Sequence, residues 1–223
     1  YAIVDSGDTH PFKALDEYFA QGKEEDRQGW GNITVDELKQ YDYIHPYMFE
    51  RKLTMDVINK FEVGYDPNTD CLTFPVYVDS KCVCVARRKV SYKRFVMPKI
   101  IPKPIYGLDY VSGNEVIVCE SIINALTCYT YGKEAVALMG TGSSWQVDQL
   151  CRFPLRKITL ALDPDEAGEQ GVMRMASKLV RSGKLVSRLM IPTGKDINDL
   201  SKEEFDKIKE KWALLHGIPI YYI

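Results

Sequence analysis

The chain has 223 residues, 45% of them hydrophobic and 27% charged, with 15 glycines, 11 prolines and a net charge of −2. This composition excludes a disordered or collagen-like chain, and no window approaches the roughly 20 apolar residues of a membrane-spanning helix. The length exceeds a usual domain of about 100–150 residues, so two lobes are expected.

Residues 1–46 are polar, with short amphipathic pieces at 12–19 and 34–38, and are expected to be peripheral. Their first ten residues lack the basic and apolar regions of a secretion signal. Position 1 is Tyr, and a trimmed piece of a longer protein is expected. Residues 47–61 have helical spacing, with Leu53, Val57, Ile58 and Phe61 on one face. The runs 71–78 and 82–85, joined through Asp79-Ser80, predict a hairpin.

The hairpin leads into a basic segment. Between Arg87 and Lys103 stand seven basic residues, Arg87, Arg88, Lys89, Lys93, Arg94, Lys99 and Lys103, and no acidic one. With +7 here and −2 in total, the rest of the chain carries −9. Tyr92 and Phe95 are interleaved with these charges. Such a segment suits a groove that tracks phosphates and stacks bases, or else a solvated hairpin edge protected from aggregation by its charge. Pro98, Pro102 and Pro104 follow, and the lobe boundary is placed between 107 and 115.

From residue 115 a strand-then-helix rhythm repeats. Strands are expected at 116–119, 135–139, 158–162 and 185–191, and helices at 122–131, 145–151, 167–180 and 202–214. This alternation predicts a largely parallel sheet flanked by helices, beside a smaller mixed α+β basic lobe. The six cysteines, Cys71, Cys82, Cys84, Cys119, Cys128 and Cys151, form no Cys-x-x-Cys pair and read as free core thiols.

Ligands of such sheets bind beyond the carboxyl ends of the strands. Three acidic stretches fall there. The first strand runs into Glu120, the third into Asp163-Pro164-Asp165-Glu166-Ala167-Gly168, and the fourth into a loop with Asp196, Asn198 and Asp199. Asp163 and Asp165, two apart on an extended segment stiffened by Pro164, would project to one side and chelate a hard cation such as Mg²⁺. Taken singly, Asp165 and Ser121 read as helix N-caps, and the small-residue turn 140–144 reads as a plain turn with a serine cap.

These residues resemble the Toprim domain of bacterial and phage DnaG-type primases. The resemblance rests on Glu120, the Asp163–Gly168 run about 40 residues later, the Gly194-Lys195-Asp196-Ile197-Asn198-Asp199-Leu200 loop and the Met139-Gly140-Thr141 turn. Residues 53–65 are similar to the helix and turn opening that catalytic core, and Arg87-Arg88, Lys93 to Pro98 and Tyr106-Gly107 to its basic subdomain. It implies lobes at 1–110 and 111–223 and a primase core that makes short RNA primers on single-stranded DNA from ribonucleoside triphosphates. It implies Mg²⁺ or Mn²⁺ as cofactor, a replicative helicase as partner and a cytoplasmic setting, in a bacterium or from a phage. Glu120, Asp163 and Asp165 would be catalytic and hold metal, with Asp196 and Asn198 as outer ligands. Arg87, Arg88, Lys93, Arg94 and Lys103 would bind template or nucleotide, with one of the Arg87–Arg88 pair making the contact. Asn124 stands where cellular primases commonly carry an Asp, and Asn198 replaces a frequent Asp, which argues against a second strongly bound metal. The rival expectations are a Toprim nuclease or topoisomerase-like domain, and a non-catalytic nucleic-acid-binding module.

Overall fold

The structure, a computed structural model, describes residues 27–213. The amphipathic stretch expected at 12–19 and the last residue of the helix expected at 202–214 lie outside them. Helix α1 (Val35–Leu38) opens with a capping box between Thr34 and Glu37. The single helix expected over 47–61 is instead two, α2 (Pro46–Glu50) and α3 (Met55–Lys60). The break has two local causes. Lys52 adopts φ +61°, and the N–H groups of Lys52 and Leu53 turn back onto the carbonyls of Phe49 and Met48 at 2.8 and 3.0 Å, which ends α2. Two residues later the Thr54 hydroxyl accepts from the Val57 N–H and starts α3.

Strands β1 (Gly64–Asp66), β2 (Cys71–Val78), β3 (Lys81–Lys89) and β4 (Phe95–Val96) form an antiparallel sheet in that order. The β2–β3 turn places Asp79 and Ser80 at φ +52° and +63°, the pair of left-handed residues that a tight hairpin requires. β3 runs past the expected end at 85 to include Arg87 and Arg88. Its register sets Arg88 opposite Leu72 and Arg87 opposite Thr73. Because side chains alternate across a strand, the two arginines leave on opposite faces.

The second sheet holds β5 (Glu115–Cys119), β6 (Ala135–Ala137), β7 (Lys157–Ala161), β8 (Leu185–Leu189) and β9 (Glu210–Ala213), in the order β6-β5-β7-β8-β9. All its pairings are parallel except β8–β9. The crossovers are α4 (Ile122–Thr130), α5 (Ser144–Arg152) and α6 (Glu166–Arg181). Val116, Val118, Ile158 and Leu160 pack with residues of α5 and α6, while Cys119, Ala137 and Ala161 join α4 and the first sheet in the other core.

The helix expected at 202–214 is corrected. Helix α7 (Lys202–Asp206) lasts little more than one turn, and the chain then extends as β9. The apolar spacing of Phe205, Ile208 and Trp212 suits a helix, but β8 would otherwise present an open edge, and pairing there overrides the local pattern. β9 is pinned by Lys157, which lies 2.9 Å from Glu210 and over the Trp212 ring at 5.1 Å.

The two sheets share a core. Phe61, which ends α3, packs against Tyr106, Tyr110 and Tyr129 at centroid distances of 5.9, 4.5 and 4.7 Å, stacked on the first, tilted to the second and edge-on to the third. This aromatic cluster fixes how the basic hairpin sits against the parallel sheet.

Candidate active site

The strand order locates the site before any side chain is considered. From β5 the chain crosses through α4 to β6 on one side, then returns past β5 to build β7 and β8 on the other. The order therefore reverses between β5 and β7, and the crevice beyond their carboxyl ends is where open α/β sheets bind ligands. Cys119 and Ala161 are register partners on these neighbouring strands, so Glu120 and Asp163 leave the sheet side by side.

The Asp163 loop is shaped by its own sequence. Asp165 caps α6, its Oδ1 accepting from the Gly168 N–H at 2.8 Å. Gly168 is required because a Cβ there would lie 2.0 Å from the Asp163 carbonyl oxygen. The Asp-x-Asp-x-x-Gly spacing thus folds the loop tightly onto the helix and leaves the Asp163 side chain, half-buried, toward Glu120. Across the sheet end, Asp196 forms a reciprocal capping box with Asp199, at 3.1 and 2.9 Å.

Burial and neighbouring carboxylates raise the pKa of Glu120 and of Asp163. Burial pushes the Glu120 carboxyl up from its ordinary value, and the neighbouring charges of Asp163 and Asp165 push it further. Glu120 Oε2 is buried without a hydrogen-bond partner. Burial likewise raises Asp163, with Asp196, Asp165 and Asp199 adding to the effect, and only Lys93 opposing it among the main causes. Mutually repelling carboxylates, one with an unpartnered oxygen, suit the binding of a cation.

Among the described residues, no three His, Cys, Asp or Glu side chains are disposed to hold a metal ion. The donor chemistry nevertheless fits a hard divalent cation: Glu120, Asp163, Asp165 and Asp196 offer only oxygens, and the Glu120 oxygen has no competing partner.

Asn198 holds its loop to the neighbouring elements. It is buried, and its Nδ2 donates to the Arg51 carbonyl at 2.8 Å and to Thr127 Oγ1 at 2.9 Å. Its Nδ2 thus ties the 196–200 loop to α4 and the end of α2. The sequence also left Asn124 without a role. This buried residue donates from Nδ2 to Asp163 Oδ1 at 3.4 Å and accepts the Asn198 N–H at 3.2 Å. Its position one turn into the helix that Ser121 caps was the available signal.

The basic residues divide by strand parity. Arg88, with Phe74 and Phe95, faces Glu120, Ile122 and Met139 across a cleft of about 240 Å³. Arg87 points to the other face, 3.7 Å from buried Asp66 and donating to the Tyr41 hydroxyl at 2.8 Å. Lys93 and Arg94 are exposed in the β3–β4 turn, from which the Lys93 charge reaches Asp163. Lys103 Nζ donates to the Met139 carbonyl at 2.9 Å, supporting a turn in which Met139 and Gly140 take φ +56° and +139°. The structure therefore brings Arg88 and Lys93 toward the carboxylates, keeps Lys103 at the rim and turns Arg87 away.

Comparison with known proteins accords with this architecture. Residues 117–201 match the Toprim-like family. The DnaG primase catalytic domain solved with single-stranded DNA has a TM-score of 0.61 at 16% identity, over 88% of this chain and 79% of that one. The fold is that of a DnaG-type primase core. The primase fragment of the bacteriophage T7 primase-helicase protein is similar too, at TM-score 0.59 and 19% identity over 82% of this chain and 80% of that fragment. In sequence, a DNA primase of Clostridium acetobutylicum is 25% identical over 171 residues, 69% of this chain. The chain spans only 29% of that primase's length. Glu120, Asp163, Asp165 and the 196–200 loop all fall inside the Toprim-like segment, while Arg88 and Lys93 lie before it in the primase fold. Among the described residues, no helix is long and apolar enough to cross a membrane.

Proposed function

We propose that this chain is the catalytic core of a DNA primase, joining ribonucleotides on single-stranded DNA by metal-dependent nucleotidyl transfer. Residues 1–110 would form its basic lobe and residues 111–223 its Toprim lobe. The reading is supported above all by Glu120 and Asp163–Asp165 beyond β5 and β7, with Asp196 in the loop after β8, opposite Arg88 and Lys93.

Glu120, Asp163 and Asp165 would hold the cation, with Asp196 beside them. Mg²⁺ or Mn²⁺ in this position supplies charge stabilisation for the reacting phosphates. The 3′-hydroxyl attacks the α-phosphorus of the next triphosphate, the new P–O bond forms, the bond to the β-phosphate oxygen breaks, and pyrophosphate leaves. The hydroxyl proton passes to a nearby base, and Glu120, whose side chain lines the cleft, would either take that proton or help hold the cation. The Arg88 guanidinium and the Lys93 ammonium bind the phosphates from the other wall, where charge-assisted hydrogen bonds orient the leaving group. Phe95, exposed at the cleft, offers a stacking face for a base. Single-stranded template and ribonucleoside triphosphates are the substrates under this reading, and a replicative helicase is the expected partner.

The test is direct. Purified protein incubated with single-stranded DNA and labelled ribonucleotides is expected to give short RNA products that need Mg²⁺ or Mn²⁺ and vanish with EDTA. Loss of labelled DNA in the absence of nucleotides would assign the site to strand cleavage instead.

A contrast between neighbours follows from strand parity. Arg88→Ala is expected to weaken nucleotide binding about tenfold or more, the loss of one charge-assisted hydrogen bond, and to destabilise less than Arg87→Ala, since it loses a hydrogen bond to the Tyr47 hydroxyl but no ion pair. Arg87→Ala is expected to cost about 1–3 kcal/mol of stability, because buried Asp66 loses its ion pair, and to leave nucleotide affinity near normal. Urea unfolding and nucleotide titration of both variants check the pair.

A further inference from the structure

Lys52 occupies a position that its backbone does not favour. At φ +61° it ends α2 in the left-handed region, where glycine is the usual residue and other side chains cost of order 1–3 kcal/mol. The lysine side chain is not idle. Half-buried, it sends its ammonium back to the 196–200 loop, donating to the carbonyls of Asn198 at 2.6 Å and Leu200 at 2.9 Å. The adjacent Arg51 carbonyl accepts from Asn198 Nδ2, and Tyr131 Oη donates to the same Leu200 carbonyl at 2.7 Å. Asn198 N–H then donates to Asn124 Oδ1, and Asn124 Nδ2 donates to Asp163 Oδ1.

We infer that Lys52 is a positioning residue for the carboxylate site, acting through Asn198 and Asn124 to fix Asp163 and the Asp196 loop. The inference rests on the reading of those carboxylates as a divalent-metal site. A cation stands at one end of this chain of hydrogen bonds and an anion at the other. The Asn124 amide dipole lies between them with its positive end toward Asp163 and its oxygen toward Asn198. A flip of Asn124 would leave the buried Asn198 N–H unmet and turn its amide oxygen toward half-buried Asp163, so the loop that Lys52 holds and the carboxylate that Asn124 contacts keep one relative position. Lys52 lies before the antiparallel sheet and Asp163 at the end of β7, so this path couples the amino-terminal half of the chain to the metal ligands.

Glycine at position 52 separates this role from a merely structural one. Gly suits the left-handed backbone and removes the ammonium, so Lys52→Gly is expected to fold with a melting temperature close to that of the unmodified protein in EDTA. Its Mn²⁺ affinity, read from the electron paramagnetic resonance signal of free Mn²⁺, is expected to fall about tenfold, the usual lower bound for loss of a residue supporting metal ligands. Lys52→Arg, which keeps two donors, is expected to restore most of the affinity. Asn124→Ala is expected to lose at least as much, and the double variant Lys52→Gly/Asn124→Ala no more than about twofold beyond Asn124→Ala alone, because both act along one path.

Normal Mn²⁺ binding by Lys52→Gly, multiplying effects in the double variant, or gross unfolding of Lys52→Gly would overturn the inference and leave the metal reading standing. Absence of Mn²⁺ binding by the unmodified protein would remove both.

Discussion

Replacing Asp163 by asparagine is expected to reduce primer synthesis by roughly 10²–10³-fold, the loss typical when one preorganised electrostatic group is removed from a reacting centre. The fold should survive. Asp163 Oδ1 accepts from Asn124, and an asparagine oxygen can accept the same bond. The backbone around it is set by the Gly168 approach and the Asp165 cap rather than by the Asp163 carboxylate. What changes is charge. Asp163 is the acid on which Asp196, Asp165 and Asp199 all act, so it stands at the centre of the negative field that would bind the cation. The variant should therefore lose Mn²⁺ affinity together with activity, and excess metal should recover only part of the rate. A primer-synthesis assay across a metal titration, beside circular dichroism, checks both halves. Unchanged synthesis would remove Asp163 from the chemistry and the proposed function with it.

Much of this arrangement could be read from the residues alone, because strand ends and caps are local. Glu120 directly follows an apolar strand, and Asp163-Pro164-Asp165 follows another; a β-α alternation then obliges both to reach the same edge. The elements that were misread depend on contacts far apart in sequence. Whether 202–214 winds into a helix or pairs as a strand is decided by the open edge of β8, which no periodicity reveals. Whether Arg87 or Arg88 faces the site is decided by strand register, and register requires the partner strand. Nor does the acidic loop show that the Asn198 Nδ2 donates to the Arg51 carbonyl, about 150 residues earlier in the chain. Lys52 gives no local sign at all, since a lysine in a left-handed turn breaks the rule by which such turns are recognised.

Replacing Glu120 by glutamine is expected to separate stability from activity in opposite directions. In the metal-free protein the Glu120 carboxyl is held above its ordinary pKa, first by burial and then by Asp163 and Asp165. A carboxyl raised in the folded state binds its proton more tightly there than in the unfolded chain. Its ionisation therefore weakens folding: the contribution is most favourable below the ordinary glutamate value near 4.3 and is lost as pH rises through the folded-state pKa. At pH 7 the ionised Glu120 opposes folding, and a neutral glutamine of the same shape relieves that repulsion and can donate toward Asp163. In EDTA at neutral pH, Glu120→Gln should melt higher than the unmodified protein, because burial and the charges of Asp163 and Asp165 no longer act on an ionised group at that position. The gain should shrink as pH falls toward 4, where the native glutamate also becomes neutral. With Mg²⁺ or Mn²⁺ present the order should reverse, because the unmodified site gains a bound cation and the variant has lost a ligand. Activity should fall by about 10² or more in the same variant. Thermal melts at pH 4 and pH 7, with EDTA and with Mn²⁺, test the claim: a lower melting temperature for Glu120→Gln in EDTA at neutral pH would mean that Glu120 is a structural acid with a favourable partner.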